Sequence, residues 1–233
     1  MIEIKTLASS SKGNCYHITD GTTSLLLEAG IKFRDVRIML NFQTSDIAGC
    51  LISHEHKDHC MAVQDVLRTG IDTYMSAGTA ETIGITHHRI KPIKALESFE
   101  VGTWKIMPFN VEHDVAEPLG FLLANRAGEK LLFATDTYYI RYRFRGLTHL
   151  LIECNYSKAI LDQNIIDGVV PKVMRKRLIQ SHMSLENLID FLTANDLSKI
   201  QEIHLLHLSD TNSDEALFKR TVQKLTGKLV FIA

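Results

Sequence analysis

The sequence predicts an α/β protein, a four-layer αββα sandwich of two mixed β-sheets flanked by helices. Three observations predict it. Strand-like and helix-like segments are mixed in both halves of the chain, the apolar runs are short enough for strands, and no linker, repeat or low-complexity tract separates the halves. With 233 residues, 45% of them hydrophobic and 23% charged, the composition is that of an ordinary globular protein, which excludes disordered, collagenous and disulfide-scaffold classes. A chain of this length buries roughly 70–75% of the surface its unfolded form exposes. It therefore needs no metal merely to fold, and a bound metal would serve chemistry.

The elements follow in order. Ile2 to Leu7, Cys15 to Thr19 and Ser24 to Glu28 are apolar or alternating runs separated by the small-residue loop Ser9–Asn14 and the turn Asp20-Gly21, and they predict an antiparallel meander. Ile31 to Phe42 has helical spacing. Ile47 to Ile52 is a continuous apolar run, typical of a strand covered on both faces. A helix of roughly ten residues is expected from Met61, then a strand near Thr73 to Met75, a helix from Thr79, and strands between Ile90 and Val111. Leu119 to Ala124 and Lys130 to Ala134 flank a turn at Asn125–Glu129, and Leu150 to Glu153 is another buried strand. Ser184 to Ala194 reads as an amphipathic helix, Ile203 to Leu206 as a strand, and Asn212 to Leu225 as a final helix in which Asn212 and Glu215 form a capping pair.

Lys and Arg (26) nearly balance Asp and Glu (27), giving a net charge of −1, so no global field draws the chain to nucleic acid and only local basic patches could. Cys15, Cys50, Cys60 and Cys154 form no C-x-x-C pair, which fits a reduced setting. The first residues lack a long apolar core, and no window approaches the roughly 20 apolar residues of a membrane span. The expected location is cytoplasmic, with no membrane partner. Ser9–Asn14 lacks the Gly-Lys-Ser/Thr ending of a nucleotide-binding loop, so ATP is not expected.

Histidine carries the functional signal, with 11 residues. His54-Glu55-His56-Lys57-Asp58-His59 is an H-x-H-x-D-H arrangement just beyond the strand ending at Ile52. In an extended loop, alternating positions splay, so His54 and His56 can serve one ion while Asp58 and His59 point to a second. Imidazole and carboxylate together suit Zn, Mn or Fe, and the lack of a nearby thiolate argues against a closed structural site. Further candidates end other apolar runs: His113 after Val111, Asp136 after Leu131–Thr135, and His207 after Ile203–Leu206. One such residue is an ordinary strand cap; the repetition is what points to ligands. His17, His87, His88, His149 and His204 lack companions at ligand spacing, and Gly13 and Gly30 are read as turn residues.

These residues resemble the metallo-β-lactamase fold superfamily, and the resemblance spans essentially the whole chain, residues 1–233, as a single domain. It implies one metal held by His54, His56 and His113, a second by Asp58, His59 and His207, and Asp136 bridging them; Asp114 would orient a ligand. Ser9–Asn14, Ile152–Tyr156, Ser181–Asn187 and His207–Asn212 resemble the small WalJ/YycJ-type branch, regarded as DNA exonucleases. The chain departs from that branch at Cys154 and Ser181, neither a metal ligand. The inserted β-CASP-type domain of larger RNA-cutting relatives is absent between Asp136 and His182.

Two divalent metals roughly 3.5–4 Å apart lower the pKa of a shared water and clamp the attacking and leaving oxygens of an in-line displacement, which favours phosphoesters. The expected activity is phosphodiester hydrolysis by a metal-bridging hydroxide, with two Zn or Mn ions and DNA as substrate. Asp58, Asp136 and His182 are the expected catalytic residues. His182, Ser184 and Asn155 are expected at the substrate, Ser184 and His182 because a helix N-terminus attracts phosphate. Arg141–Arg145 interleaves arginines with aromatics, and Lys172, Arg175, Lys176 and Arg177 form a second basic cluster; each could track a polynucleotide or be a solvated face. The alternatives are a small-molecule hydrolase on the same metals, acting on cyclic phosphodiesters, esters, lactones or thioesters, and a noncatalytic binding module.

Overall fold

The computed structural model describes residues 1–233. The chain divides into two compact units, Met1–Asn110 with Val115–Glu129, and Val111–Asp114 with Lys130–Ala233.

In the first unit a six-stranded sheet has the order β1 (Glu3–Ser10), β2 (Gly13–Thr19), β3 (Ser24–Leu27), β4 (Ile47–Leu51), β5 (Thr73–Ser76), β6 (Ile90–Ile93). The first three strands are antiparallel and the rest run parallel, with Leu27 opposite Leu51 and Leu51 opposite Tyr74. Cys50, Leu51 and Ile52 are fully buried, as a strand covered on both faces requires. Leu26, Cys50, Ile52 and Met75 pack with Val36 of helix α1 (Phe33–Met39) and Val63, Val66 and Leu67 of α3 (Val63–Arg68). The unit also contains α4 (Ala77–Ile83), capped by the Ser76 side chain, and an antiparallel meander of β7 (Phe99–Val101), β8 (Trp104–Asn110) and β9 (Leu119–Ala124).

In the second unit β10 (Lys130–Ala134), β11 (His149–Glu153), β12 (Glu202–Leu206) and β13 (Leu229–Ile232) are parallel neighbours in that order. Their register sets Ala134 beside Ile152 and Glu153 beside Leu206, so the C-terminal ends of three buried strands share one edge, the usual place for a site in a parallel sheet. The helices are α5 (Lys158–Ile166), α6 (Lys172–Ser181), α7 (Leu185–Ala194) and α8 (Glu215–Thr226).

Several expectations are corrected. The helix expected from Met61 is two pieces, because Lys57–Cys60 already forms a helical turn, α2, ahead of α3. Asp58 and His59 thus sit on a helical turn and not in an extended loop. The last helix is capped by Asp214, whose Oδ1 accepts from the Leu217 N–H at 2.8 Å, and not by Asn212, whose Oδ1 instead takes the Asn164 amide at 3.0 Å. Gly30 is no turn residue: a Cβ there would lie 1.6 Å from the Asp58 carbonyl oxygen, so glycine permits a close backbone approach. Helix α5 and strand β13 were not expected.

Candidate metal centre

In the first unit the histidine loop leaves β4 and is fixed from below by a buried carboxylate. Glu28 follows β3 with φ 67° and is fully buried. Its oxygens accept from the Ser53 N–H at 3.3 Å, and Oε2 lies 3.7 Å from His59 Nδ1. Burial raises the Glu28 pKa, and the neighbouring His59 ring and the hydrogen bonds from Ser53 act against that rise. Ser53 Oγ sits 2.8 Å from His54 Nδ1, and His54 Nε2 lies 3.1 Å from His56 Nδ1. The His59 ring lies 4.2 Å from the His54 ring at a tilt of 41°, and its Nε2 is 3.3 Å from Asp58 Oδ2 and 3.1 Å from Asn14 Nδ2. The loop is pinned by backbone bonds as well, Ala29 N–H to His59 O at 2.7 Å and Ala62 N–H to Ala29 O at 2.8 Å. His54, His56, Asp58 and His59 are therefore brought together, and Glu55 turns away to accept from the Ala116 N–H at 2.9 Å.

In the second unit Asp136 and His207 emerge from β10 and β12 with left-handed φ of 44° and 53°. Such backbone is costly for a residue with a side chain and recurs where function requires it. His207 Nδ1 is 2.8 Å from Asp136 Oδ1 and 3.1 Å from Oε1 of Glu153, the last residue of β11. The same Oε1 is 2.7 Å from His182 Nδ1, and Oε2 accepts from the Thr137 and Met183 N–H groups at 3.0 Å each. Glu153 thus orients two imidazoles. His113 Nε2 lies 3.9 Å from Asp136 Oδ2, and its Nδ1 is 3.3 Å from Asp114 Oδ1, which also accepts from Ser181 Oγ at 3.0 Å. Asp114 thus stands on the Nδ1 side of the His113 ring.

The electrostatics follow from this geometry. Burial disfavours the His207 imidazolium, but Asp136 and Glu153 outweigh it and push its pKa up to about 10. The same contest, won by Glu153, raises His182. Burial would raise Glu153, yet the His182 charge and the two imidazole bonds hold it below the usual range. Asp114, despite partial burial, is lowered by Ser181 and His113.

The donor set fits divalent metal. Two nitrogens each about 2.0–2.1 Å from a tetrahedral ion stand about 3.3 Å apart, close to the 3.1 Å between His54 Nε2 and His56 Nδ1. Ligand atoms of Asp136, Glu153, His182 and His207 all lie within 4.8 Å of one another. The two remaining expected substrate residues behave differently. Ser184 is fully buried, and its Oγ accepts from the Asn187 N–H at 3.1 Å; it caps α7 and offers no surface to a substrate, a correction of the expected contact. Asn155 is buried and its Nδ2 donates to the His207 carbonyl at 2.7 Å, which supports the left-handed turn there. Glu28, Glu153 and Asn14 were not among the expected site residues. The available signal was position, since both glutamates end apolar runs as Asp136 and His207 do.

The beta-lactamase superfamily domain profile matches residues 23–205. The chain belongs to that superfamily. It is 27% identical to the exodeoxyribonuclease WalJ of Streptococcus pneumoniae over 93% of this chain and 85% of that one. It is 25% identical to the exodeoxyribonuclease YycJ of Bacillus anthracis over 96% of this chain and 89% of that one. The crystal structure of the metallo-beta-lactamase fold protein YhfI from Bacillus subtilis superposes with a TM-score of 0.72 at 14% identity, covering 100% of this chain and 97% of that one. The α/β fold of two mixed β-sheets flanked by helices, expected from the sequence, is the superfamily's fold, and the protein is a metal-dependent hydrolase. No helix is long and apolar enough to cross a membrane.

Proposed function

We propose that the protein is a dinuclear phosphodiesterase that degrades DNA from an end, acting as one domain in the cytoplasm. One divalent cation, Zn or Mn, would be held by His54, His56 and His113, a second by Asp58, His59 and His207, with Asp136 shared. Bound there, such cations supply Lewis-acid polarisation of a phosphoryl oxygen and activation of water near neutral pH. The chain's own groups do the rest. Asp58 and Asp136 would accept hydrogen bonds from the attacking water and so orient it. His207, with Nδ1 facing Asp136 and Glu153, would ligate through Nε2. His182, held at Nδ1 by Glu153 and 19% exposed, would present Nε2 to the leaving oxygen and donate its proton there.

The observation that carries this reading is the likeness to two exodeoxyribonucleases along more than nine-tenths of the chain. The test is incubation of the metal-loaded protein with end-labelled DNA and RNA, single-stranded and duplex, beside a cyclic-nucleotide and lactone panel. Mononucleotide release from DNA is expected. Turnover confined to cyclic nucleotides or lactones would replace this reading with a small-molecule hydrolase.

A further inference from the structure

The segment between Asp136 and β11 is tied to the candidate centre at several points. The Tyr138 N–H donates to the Glu112 carbonyl at 3.2 Å, and Arg141 Nε lies 2.6 Å from the Glu112 carboxylate, the residue before His113. Asn187 Nδ2 donates to the Tyr138 carbonyl at 2.9 Å, and the Phe144 N–H donates to Asn195 Oδ1 at 2.8 Å, so α7 holds the segment along its length. Its residues alternate. Tyr142 and Phe144 are half-buried, Phe144 lying 6.4 Å from the Phe191 ring, whereas Arg141, Arg143 and Arg145 are exposed. The interleaved aromatics therefore pack inward, and the arginines form an outward comb.

Beside this comb is a cleft of about 450 Å³ lined by Tyr139, Ile140, Met183, Asp190 and Phe191, among others. Met183, the chain neighbour of His182, and Tyr138, two residues after Asp136, belong to its lining, so the cleft shares chain segments with the candidate centre. Arg141 and Arg143 also line the cleft's rim, so the apolar floor and the Asp190 carboxylate suit the flat face and amino edge of a nucleobase while the guanidinium groups at the rim suit its phosphate. The exposed ring of Tyr139 offers a stacking surface, and the arginine comb running from the cleft's rim supplies phosphate contacts.

We propose that this cleft receives one unstacked base of a single-stranded DNA end while Arg143 and Arg145 hold the phosphates that follow it. The inference rests on the nuclease reading and narrows it, since a base inside a closed duplex could not enter. The test compares kcat/KM of the metal-loaded protein on a single-stranded oligodeoxynucleotide, a blunt duplex of the same sequence, and bis(p-nitrophenyl) phosphate, across a salt series. The variants are Tyr139→Ala, Ala194→Trp, which fills the cleft from the exposed end of α7, and the double change Arg143→Ala with Arg145→Ala.

The single strand is expected to be the best polymer substrate. Tyr139→Ala and Ala194→Trp should each raise its KM roughly tenfold, and the double arginine variant should flatten the salt dependence by about 1.4 in log-log slope. All three should leave metal content per chain unchanged and lower bis(p-nitrophenyl) phosphate turnover far less than that of the single strand. Wild-type cleavage of single strands with all variants unaffected would overturn this inference alone, as would equal cleavage of the blunt duplex. A wild-type protein that hydrolyses the small diester and no polynucleotide would overturn the nuclease reading and this inference with it.

Discussion

Replacing Gly30 by alanine would place a methyl carbon 1.6 Å from the Asp58 carbonyl oxygen, 2.3 Å from the Asp58 carbonyl carbon and 2.7 Å from the Asn14 nitrogen. Real Cβ contacts do not fall below 3.0 Å, so the two backbones must separate by at least 1.4 Å, the difference between 3.0 and 1.6. Neither side can yield cheaply, because both are main chain held by hydrogen bonds: Gly30 N–H to Asn14 O at 2.9 Å and Ala29 N–H to His59 O at 2.7 Å. Overpacking of this kind costs about 3 kcal/mol. A displacement above 1 Å at Asp58 and His59 should lower turnover roughly a hundredfold. The assay is the urea midpoint at constant m-value, with metal content per chain and turnover measured on the same preparation. Gly227→Ala is the comparison. Gly227 has φ 67° with nothing within 4 Å of its Cβ, so that change should cost about 1 kcal/mol and leave turnover intact. A Gly30→Ala protein as stable and active as the parent would refute the argument that this approach sets the histidine loop.

Other consequences can be measured on single variants. Glu153→Gln replaces the charged partner of His182 and His207 and should cost about 3 kcal/mol in urea unfolding; a loss below 1 kcal/mol would mean Glu153 does not hold those rings. Ser184→Ala removes only a helix cap, so about 1 kcal/mol of stability should go while turnover stays; a collapse of turnover in a stable protein would return Ser184 to the substrate. His182→Ala should reduce turnover far more than metal content, whereas equal loss of both would make it a ligand. Asp20 accepts from the Thr22 and Thr23 N–H groups and from the Thr103 hydroxyl, and these bonds overcome burial to lower its pKa. Its stabilisation is then present above the unfolded-state value near 4 and lost as pH falls through the lower folded value. The stability gap between parent and Asp20→Asn should accordingly shrink as the pH falls below about 5, and a constant gap would count against the assignment.

Much of this was legible in the residues, for reasons that differ by element. Strands β9 and β10 match the expected runs at both ends because unbroken apolar stretches bounded by turn residues have few other uses. Helix α5 was not legible: Ile160, Leu161, Ile165 and Ile166 do not share one face, and Leu161 is buried while Ile166 is 77% exposed. Strand β13 alternates in burial, Leu229 and Phe231 exposed about a buried Val230, but its four residues are all apolar, so the sequence shows no alternation. The final helix begins at Asp214 because Asn212 is already committed to Asn164 and Ser209, a tertiary arrangement that no local capping rule contains. At the candidate site the imidazoles were readable by spacing. Glu28 and Glu153 were not, because a single glutamate after an apolar run looks like any strand end until its burial is known. The left-handed φ of Glu28, Asp136 and His207 likewise comes from the assembled fold and has no glycine to announce it.

The most direct measurement is anomalous diffraction from crystals of the metal-loaded protein. The account predicts two peaks per chain, one coordinated by His54, His56 and His113 and the other by Asp58, His59 and His207, with Asp136 reaching both. A single peak, or peaks untouched by His113, Asp136 and His207, would contradict it.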